Sequence, residues 1–250
     1  MEIELLGSVT LRQAGRRHGV ASRKVRTVLA LLALSPGVPL SLDTLADELW
    51  ADKPVSNVRN ALQANIARLR KLVFNVTGER EVVRTVSSGY LMTVPAEAVD
   101  AHRFSALAAR GNALLGQDPR GAITVFEQAL RLWRGPALLD VADCTRCRMA
   151  AEQLNEHRLT VQEDLISARL QVGEHHGLSH DLKQLVAENP ARERLSEYLM
   201  LSLYRDGRQG DAVSVFHSTR QWLGAELGLE PGPGLRRLYQ SILMQDQVLD

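Results

Sequence analysis

Between Val55 and Val76 the chain carries Asn57, Arg59, Asn60, Asn65, Arg68, Arg70 and Lys71 and no Asp or Glu. Amide side chains pair with adenine edges, guanidinium groups with guanine edges and ammonium groups with phosphate oxygens, so this set of residue types fits a nucleic-acid duplex. Turning about 100° per residue from Leu62 brings Asn57, Asn60, Ala64, Arg68 and Lys71 onto one side. Ala61 and Asn65 flank them, and Val58, Leu62, Ile66, Leu69 and Val73 make an apolar stripe on the other side. A helix over Pro54 to Val76 with those two sides has the form that enters a major groove; the alternative is an amphipathic helix with a solvated basic face. Other chemistry is sparse. Cys144 and Cys147 form one C-x-x-C without the second ligand pair of a closed zinc site or the βαβ setting of a redox thiol, and they read as thiols without a site. His175 and His176 are adjacent, and adjacent helix positions point apart. His102, His157 and His217 have no partner at ligand spacing, no Ser/His/Asp or Cys/His arrangement has supporting context, and Gly228 to Gly234 holds neither G-x-G-x-x-G nor a Walker lysine. No enzyme activity, metal or cofactor is expected.

The flanking segments decide how the basic helix is used. Glu2 to Leu6 and Val9 to Gln13 read as short antiparallel strands around Gly7. Ser22 can cap a helix from Arg23 to Leu34, with Val25, Val28, Leu29, Leu31 and Leu32 buried and Ser35-Pro36-Gly37 ending it. Ser41 can cap a second from Leu42 to Leu49, and Trp50, Ala51, Asp52, Lys53 and Pro54 make a turn into the basic helix. After Gly78, Glu81 to Val86 and Gly89 to Val94 form a hairpin across Ser87-Ser88. Strands, three helices and a hairpin in this order predict a winged helix-turn-helix, in which the third helix reads the groove and the hairpin meets the flanking backbone. Lys24, Lys71, Arg84 and Ser87 suit phosphates. Trp50 serves either as core packing or through its indole N–H to a phosphate.

From Val99 strand signals give way to helical periodicity. Phe104 to Gly135 reads as two helices around a turn at Gly116 to Pro119, with Ala122, Phe126, Ala129 and Leu130 inward, and Gly207, Ala212 and Phe216 repeat that pattern in Glu193 to Gly224. Between them, Met149 to Val172 reads as one long helix and His180 to Glu188 as its partner, so that three helix pairs stack on one core. The fold class expected is mainly α with a small β component: a winged helix-turn-helix over 1–96 and an all-α, tetratricopeptide-like repeat domain over 97–250.

Composition agrees and excludes other classes. Residues 1–100 hold 13 Lys and Arg against 10 Asp and Glu, and residues 101–250 hold 17 against 19, so the basic character is local rather than global. No apolar run is long enough to span a bilayer, and the start MEIELLGSVT lacks the features of a signal peptide, which predicts a cytoplasmic protein.

The run LADELW, then NIARLRKL, then RTVSSGYL resembles the winged-helix effector domain of response regulators. The sequence shows no receiver-type βα repeat, so phosphorylation of a linked receiver is not the expected switch. The motifs DAHRF at Asp100 to Phe104, ALRLWRG at Ala129 to Gly135, NPARERL at Asn189 to Leu195, LYRDGRQGDA at Leu203 to Ala212 and ELGLEPGPGLRRLYQSIL at Glu226 to Leu243 resemble the bacterial transcriptional activation domain. Together the two halves resemble the Streptomyces antibiotic regulatory protein family across essentially the whole chain. That resemblance implies a pathway-specific activator of a biosynthetic gene cluster. Such proteins bind direct repeats in promoter DNA overlapping the −35 region, as side-by-side homodimers, and recruit RNA polymerase holoenzyme through its sigma factor and other subunits. It also implies that the loop Trp50 to Pro54 is the polymerase contact. The wing turn Ser87-Ser88 stands where related wings often carry an arginine. A second reading takes the helical repeats as a peptide- or ligand-sensing scaffold whose winged helix does not bind DNA.

Overall fold

The computed structural model describes residues 1–50, 57–246 and 249. It begins with a three-stranded antiparallel sheet of β1 (Glu2–Glu4), β2 (Thr10–Gln13) and β3 (Arg16–Gly19), in which Ile3 pairs with Leu11 and Leu11 with His18. Helices α1 (Arg23–Leu34), α2 (Leu42–Trp50) and α3 (Val58–Thr77) follow, with β4 (Leu40–Ser41) just ahead of α2. A hairpin of β5 (Val83–Val86) and β6 (Gly89–Met92) then joins β4 in a second sheet of order β4-β6-β5. The remainder is helical: α4 (Asp100–Leu114), α5 (Pro119–Leu130), α6 (Thr145–Gln171), α7 (Leu178–Glu188), α8 (Glu193–Arg205), α9 (Gln209–Trp222) and α10 (Pro233–Met244). No helix among the described residues is long and apolar enough to cross a membrane.

Local chemistry accounts for most of these bounds. The run TVLALLAL leaves α1 buried over eight of its twelve residues, so it is a core helix rather than a surface one. Its Ser22 occupies the N-cap position without a side-chain cap bond, unlike Ser41, whose Oγ accepts from the Thr44 N–H at 3.0 Å. Asn57 caps α3 by accepting from the Asn60 N–H, and Gly78 ends it in a left-handed conformation. At Gly89 a Cβ would lie 1.9 Å from the Leu40 carbonyl oxygen, so only glycine lets β6 approach β4.

Packing divides the chain in a different way from the change of sequence pattern. One compact unit comprises 1–110 with 127–160, and the other comprises 111–126 with 161–250. In the first unit, Ile3, Leu5, Leu6, Leu11, Leu29, Leu32, Leu45, Leu62, Ile66, Leu69 and Phe104 are almost fully buried. Asp100, at the start of α4, is buried and accepts from the backbone N–H of Leu5 at 2.6 Å and of Leu6 at 3.1 Å. The Arg134 guanidinium donates to the same carboxylate at 3.3 Å, and its backbone N–H donates to the Leu6 carbonyl. Glu4, also buried, faces Arg12, Arg17 and Arg134. The first sheet is thus tied through charged groups to the start of α4 and to the segment after α5, while α1 is tied to the 140–143 loop by Arg26–Asp140 and Arg23–Asp143 ion pairs.

In the second unit, Gly111 leaves room for the Phe126 ring, where a Cβ would sit 2.3 Å from a ring carbon. Ala212 and Phe216 are buried, with Phe216 stacked on Tyr239 of α10 at 3.9 Å between centroids, so the small-and-large pattern at 207–216 turns α9 into the core. The buried Glu163 and Asp164 on α6 face Arg192 and Arg194 of the NPARERL segment. Burial raises the Glu163 carboxyl, helped by the neighbouring Asp164 charge, against the pull of Arg194.

Candidate nucleic-acid interface

The third helix has two sharply different sides. Leu62, Ile66, Leu69 and Val73 are buried and Val58 is half-buried, while Arg59, Asn60, Ala64, Arg68 and Lys71 are exposed, as is the N-cap Asn57. Among the described residues Arg59, Arg68 and Lys71 make no ion pair or side-chain hydrogen bond. Long cationic side chains left uncommitted on one helix side are available to an anion that arrives from outside. Gln63, Ala67 and Asn75 are exposed on the same side. Gln63 was detectable in the sequence, since it lies between Arg59 and Ala67 on the same helical row.

Other predicted residues are held by the protein itself. Asn65 is buried at 4% exposure and donates from Nδ2 to the Ala61 carbonyl at 2.8 Å. Three residues beyond Leu62 places Asn65 about 60° from that residue and beside Val58, at the edge of the apolar stripe. Arg70 donates to the Val83 carbonyl and the Thr85 hydroxyl, both at 2.8 Å, and so fastens α3 to the first strand of the wing. The Lys24 ammonium donates to the Leu49 carbonyl at 2.6 Å and lies 4.4 Å from the centre of the half-buried Trp50 ring. It thereby neutralises the carbonyl end of α2. Arg84 is exposed beside Glu81 at 3.6 Å, and Ser87 is exposed at the wing turn. Of the predicted polymerase-contact loop, Trp50 is described, and Ala51, Asp52, Lys53 and Pro54 lie outside the described residues.

The structure gives the two thiols a packing role and changes the reading of the histidine pair. Cys144 and Cys147 are buried, and Glu48 on α2 accepts from the Cys144 thiol and the Arg146 N–H, each at 3.1 Å. The pair therefore seats the first turn of α6 against α2, with the Glu48 carboxylate at the helix's positive end. A hydrogen bond with Cys144, burial and the Glu48 charge all push the Cys147 thiol up. His175 and His176 are not on a helix, because α6 ends at Gln171 and α7 starts at Leu178, and their rings lie 4.2 Å apart.

Residues 99–243 match the family described as bacterial transcriptional activator domain, and residues 18–92 match transcriptional regulatory protein, C terminal. The chain is 47% identical over 253 residues to the transcriptional regulator RedD of Streptomyces coelicolor, covering all of this chain and 72% of that protein. It is 35% identical over 260 residues to the regulatory protein DnrI of Streptomyces peucetius, covering all of this chain and 94% of that protein. A solved structure of Mycobacterium tuberculosis EmbR in complex with a low-affinity phosphopeptide superposes with a TM-score of 0.91 at 30% identity, over 98% of this chain and 65% of that one.

Proposed function

The chain belongs to the Streptomyces antibiotic regulatory protein family of transcriptional regulators, and we propose that it activates a biosynthetic gene cluster by reading direct repeats in promoter DNA near the −35 region. The observation that carries this reading is the exposed basic and amide side of α3, opposite a stripe packed into the core. Asn60 and Arg68 read base edges, Asn57, whose Oδ1 caps α3, adds its Nδ2 donor, and Arg59, Lys71, Arg84 and Ser87 contact phosphates and set register. Lys24 and Arg70 act from behind, by holding the α2 end and the wing in place.

In functional terms residues 1–96 are the DNA-binding domain and residues 97–250 the activation domain. Two copies side by side on successive repeats turn a weak single contact into a selective one, because the second copy binds at a high effective concentration. The segment Trp50 to Pro54, which stands between α2 and the reading helix in the sequence, takes the sigma-factor contact when RNA polymerase holoenzyme is recruited. Footprinting on repeat-bearing promoters of the neighbouring gene cluster, with and without holoenzyme, tests this. Protection of both repeats, extended when polymerase is present, is expected. Equal, unlocalised protection of any DNA would refute base reading, and loss of polymerase occupancy on adding the protein would reverse the sign of regulation.

A further inference from the structure

We propose that His175, His176 and Asp206 form a binding site for a divalent transition metal, with zinc the best-matched ion. The three side chains come from two turns of the second compact unit. His175 and His176 lie in the α6–α7 loop, and Asp206 is the C-cap residue of α8. Their ligand atoms all lie within 4.8 Å of one another. His176 Nδ1 sits 2.9 Å from Asp206 Oδ1, and His175 Nε2 sits 3.9 Å from the same oxygen. With metal–ligand bonds of about 2.1 Å, tetrahedral donors stand about 3.4 Å apart. The observed separations straddle that value, so small side-chain rotations bring the donors around one ion.

The loop is built to aim adjacent imidazoles at one point, which a helix does not do. Gly173 and Gly177 both have left-handed backbones, with φ of +79° and +84°, and bracket the pair. The His175 carbonyl accepts from the Ser202 hydroxyl at 3.2 Å and from the Leu178 N–H, which anchors the loop to α8 and to the start of α7. His175 is half-buried, with its Nδ1 enclosed and without a hydrogen-bond partner among the described residues, whereas His176 is largely exposed and leaves the fourth position open to water. Two imidazoles and one carboxylate favour zinc, nickel, cobalt or copper over calcium or magnesium, which take mainly oxygen donors. A bound ion would pin the α6–α7 loop to the α8–α9 turn and stabilise the folded unit by mass action.

The test is titration of the full chain with zinc chloride against a chromophoric zinc chelator, comparing wild type with His176→Ala and Asp206→Asn. Both variants keep the fold, since His176 is exposed and asparagine keeps the shape of the α8 cap. One equivalent of zinc should bind wild type. Each variant should lose at least about tenfold in affinity, no less than the 10–100-fold typical of losing an outer-shell partner, and zinc should raise the thermal midpoint of wild type alone. Cobalt(II) in place of zinc should give tetrahedral visible bands without a thiolate charge-transfer band. Absence of stoichiometric binding, equal binding by both variants, or a thiolate band abolished by Cys144→Ser with Cys147→Ser would overturn the assignment.

Discussion

Replacing Asp100 by alanine tests how firmly the first sheet is fixed to the helices that follow it. The Asp100 carboxylate is the acceptor for two backbone N–H groups, those of the fully buried Leu5 and Leu6, and for the Arg134 guanidinium. Leaving a buried donor without a partner costs about 1–3 kcal/mol, so two orphaned N–H groups cost roughly 2–6 kcal/mol. Part is recovered, because burial holds this carboxyl above its ordinary pKa despite the hydrogen bonds it accepts, and removing the group relieves that burden. Arg134 also keeps Glu4 at 3.8 Å. The net loss expected is about 2–4 kcal/mol, and Asp100→Asn, which retains one acceptor, should lose about half as much. Urea unfolding followed by tryptophan fluorescence reads this directly, since Trp133 packs edge-to-face on Phe104 in the same unit. A thermal midpoint lowered by about 4–16 °C corresponds to the same range. An unchanged midpoint for Asp100→Ala would show that the buried carboxylate does not hold the sheet.

Gly111→Ala should destabilise the second unit by about 1–3 kcal/mol, because its Cβ would press into the Phe126 ring and force a shift in the helical hairpin; calorimetry checks this. Arg70→Ala should weaken DNA binding only modestly while raising amide exchange in Val83 to Val86, as it removes the two bonds that hold the wing strand. For Glu4, burial pushes the carboxyl up, but hydrogen bonds from Arg17 and Thr10 and the charges of Arg134 and Arg17 outweigh it and hold the pKa below 4.5. Its stabilising effect is therefore complete above about pH 4.5 and is lost as pH falls through the lower folded value. The wild-type advantage over Glu4→Gln, measured as the urea midpoint across pH, should be level near neutrality and shrink in acid.

Periodicity made the helices legible where burial is one-sided or nearly complete. The bounds of α1 at Arg23–Leu34 and the hairpin pair α4 and α5 follow the predicted pattern. Strand β3 escaped because RRHG offers no apolar alternation; it is an exposed edge set by its pairing with β2 and by the tight turn at Ala14-Gly15. The start of α6 at Thr145 rather than Met149 depends on Glu48, nearly a hundred residues away, and no local signal carries that. In the candidate interface the exposed set Asn57, Asn60, Arg68 and Lys71 was visible from residue type and angle, and Arg59 from residue type alone. The internal duties of Lys24, Asn65 and Arg70 were not, because each is fixed by a carbonyl whose position only the folded chain defines. The histidine pair was misread for a related reason: its geometry belongs to a glycine-bracketed loop, not to the helix assumed for it.

The central claim is that the exposed side of α3 reads DNA, and binding isotherms over a range of salt concentrations test it most directly. Wild type, Arg68→Ala and Lys71→Ala would each be titrated with repeat-bearing promoter DNA and with a scrambled duplex. Arg68→Ala should lose about 1–3 kcal/mol on the repeat DNA and much less on the scrambled one, which relaxes specificity. Lys71→Ala should weaken both duplexes alike and reduce the slope of log affinity against log salt by about one. Unchanged affinity, specificity and salt slope in both variants would contradict the assignment of this helix as the DNA reader.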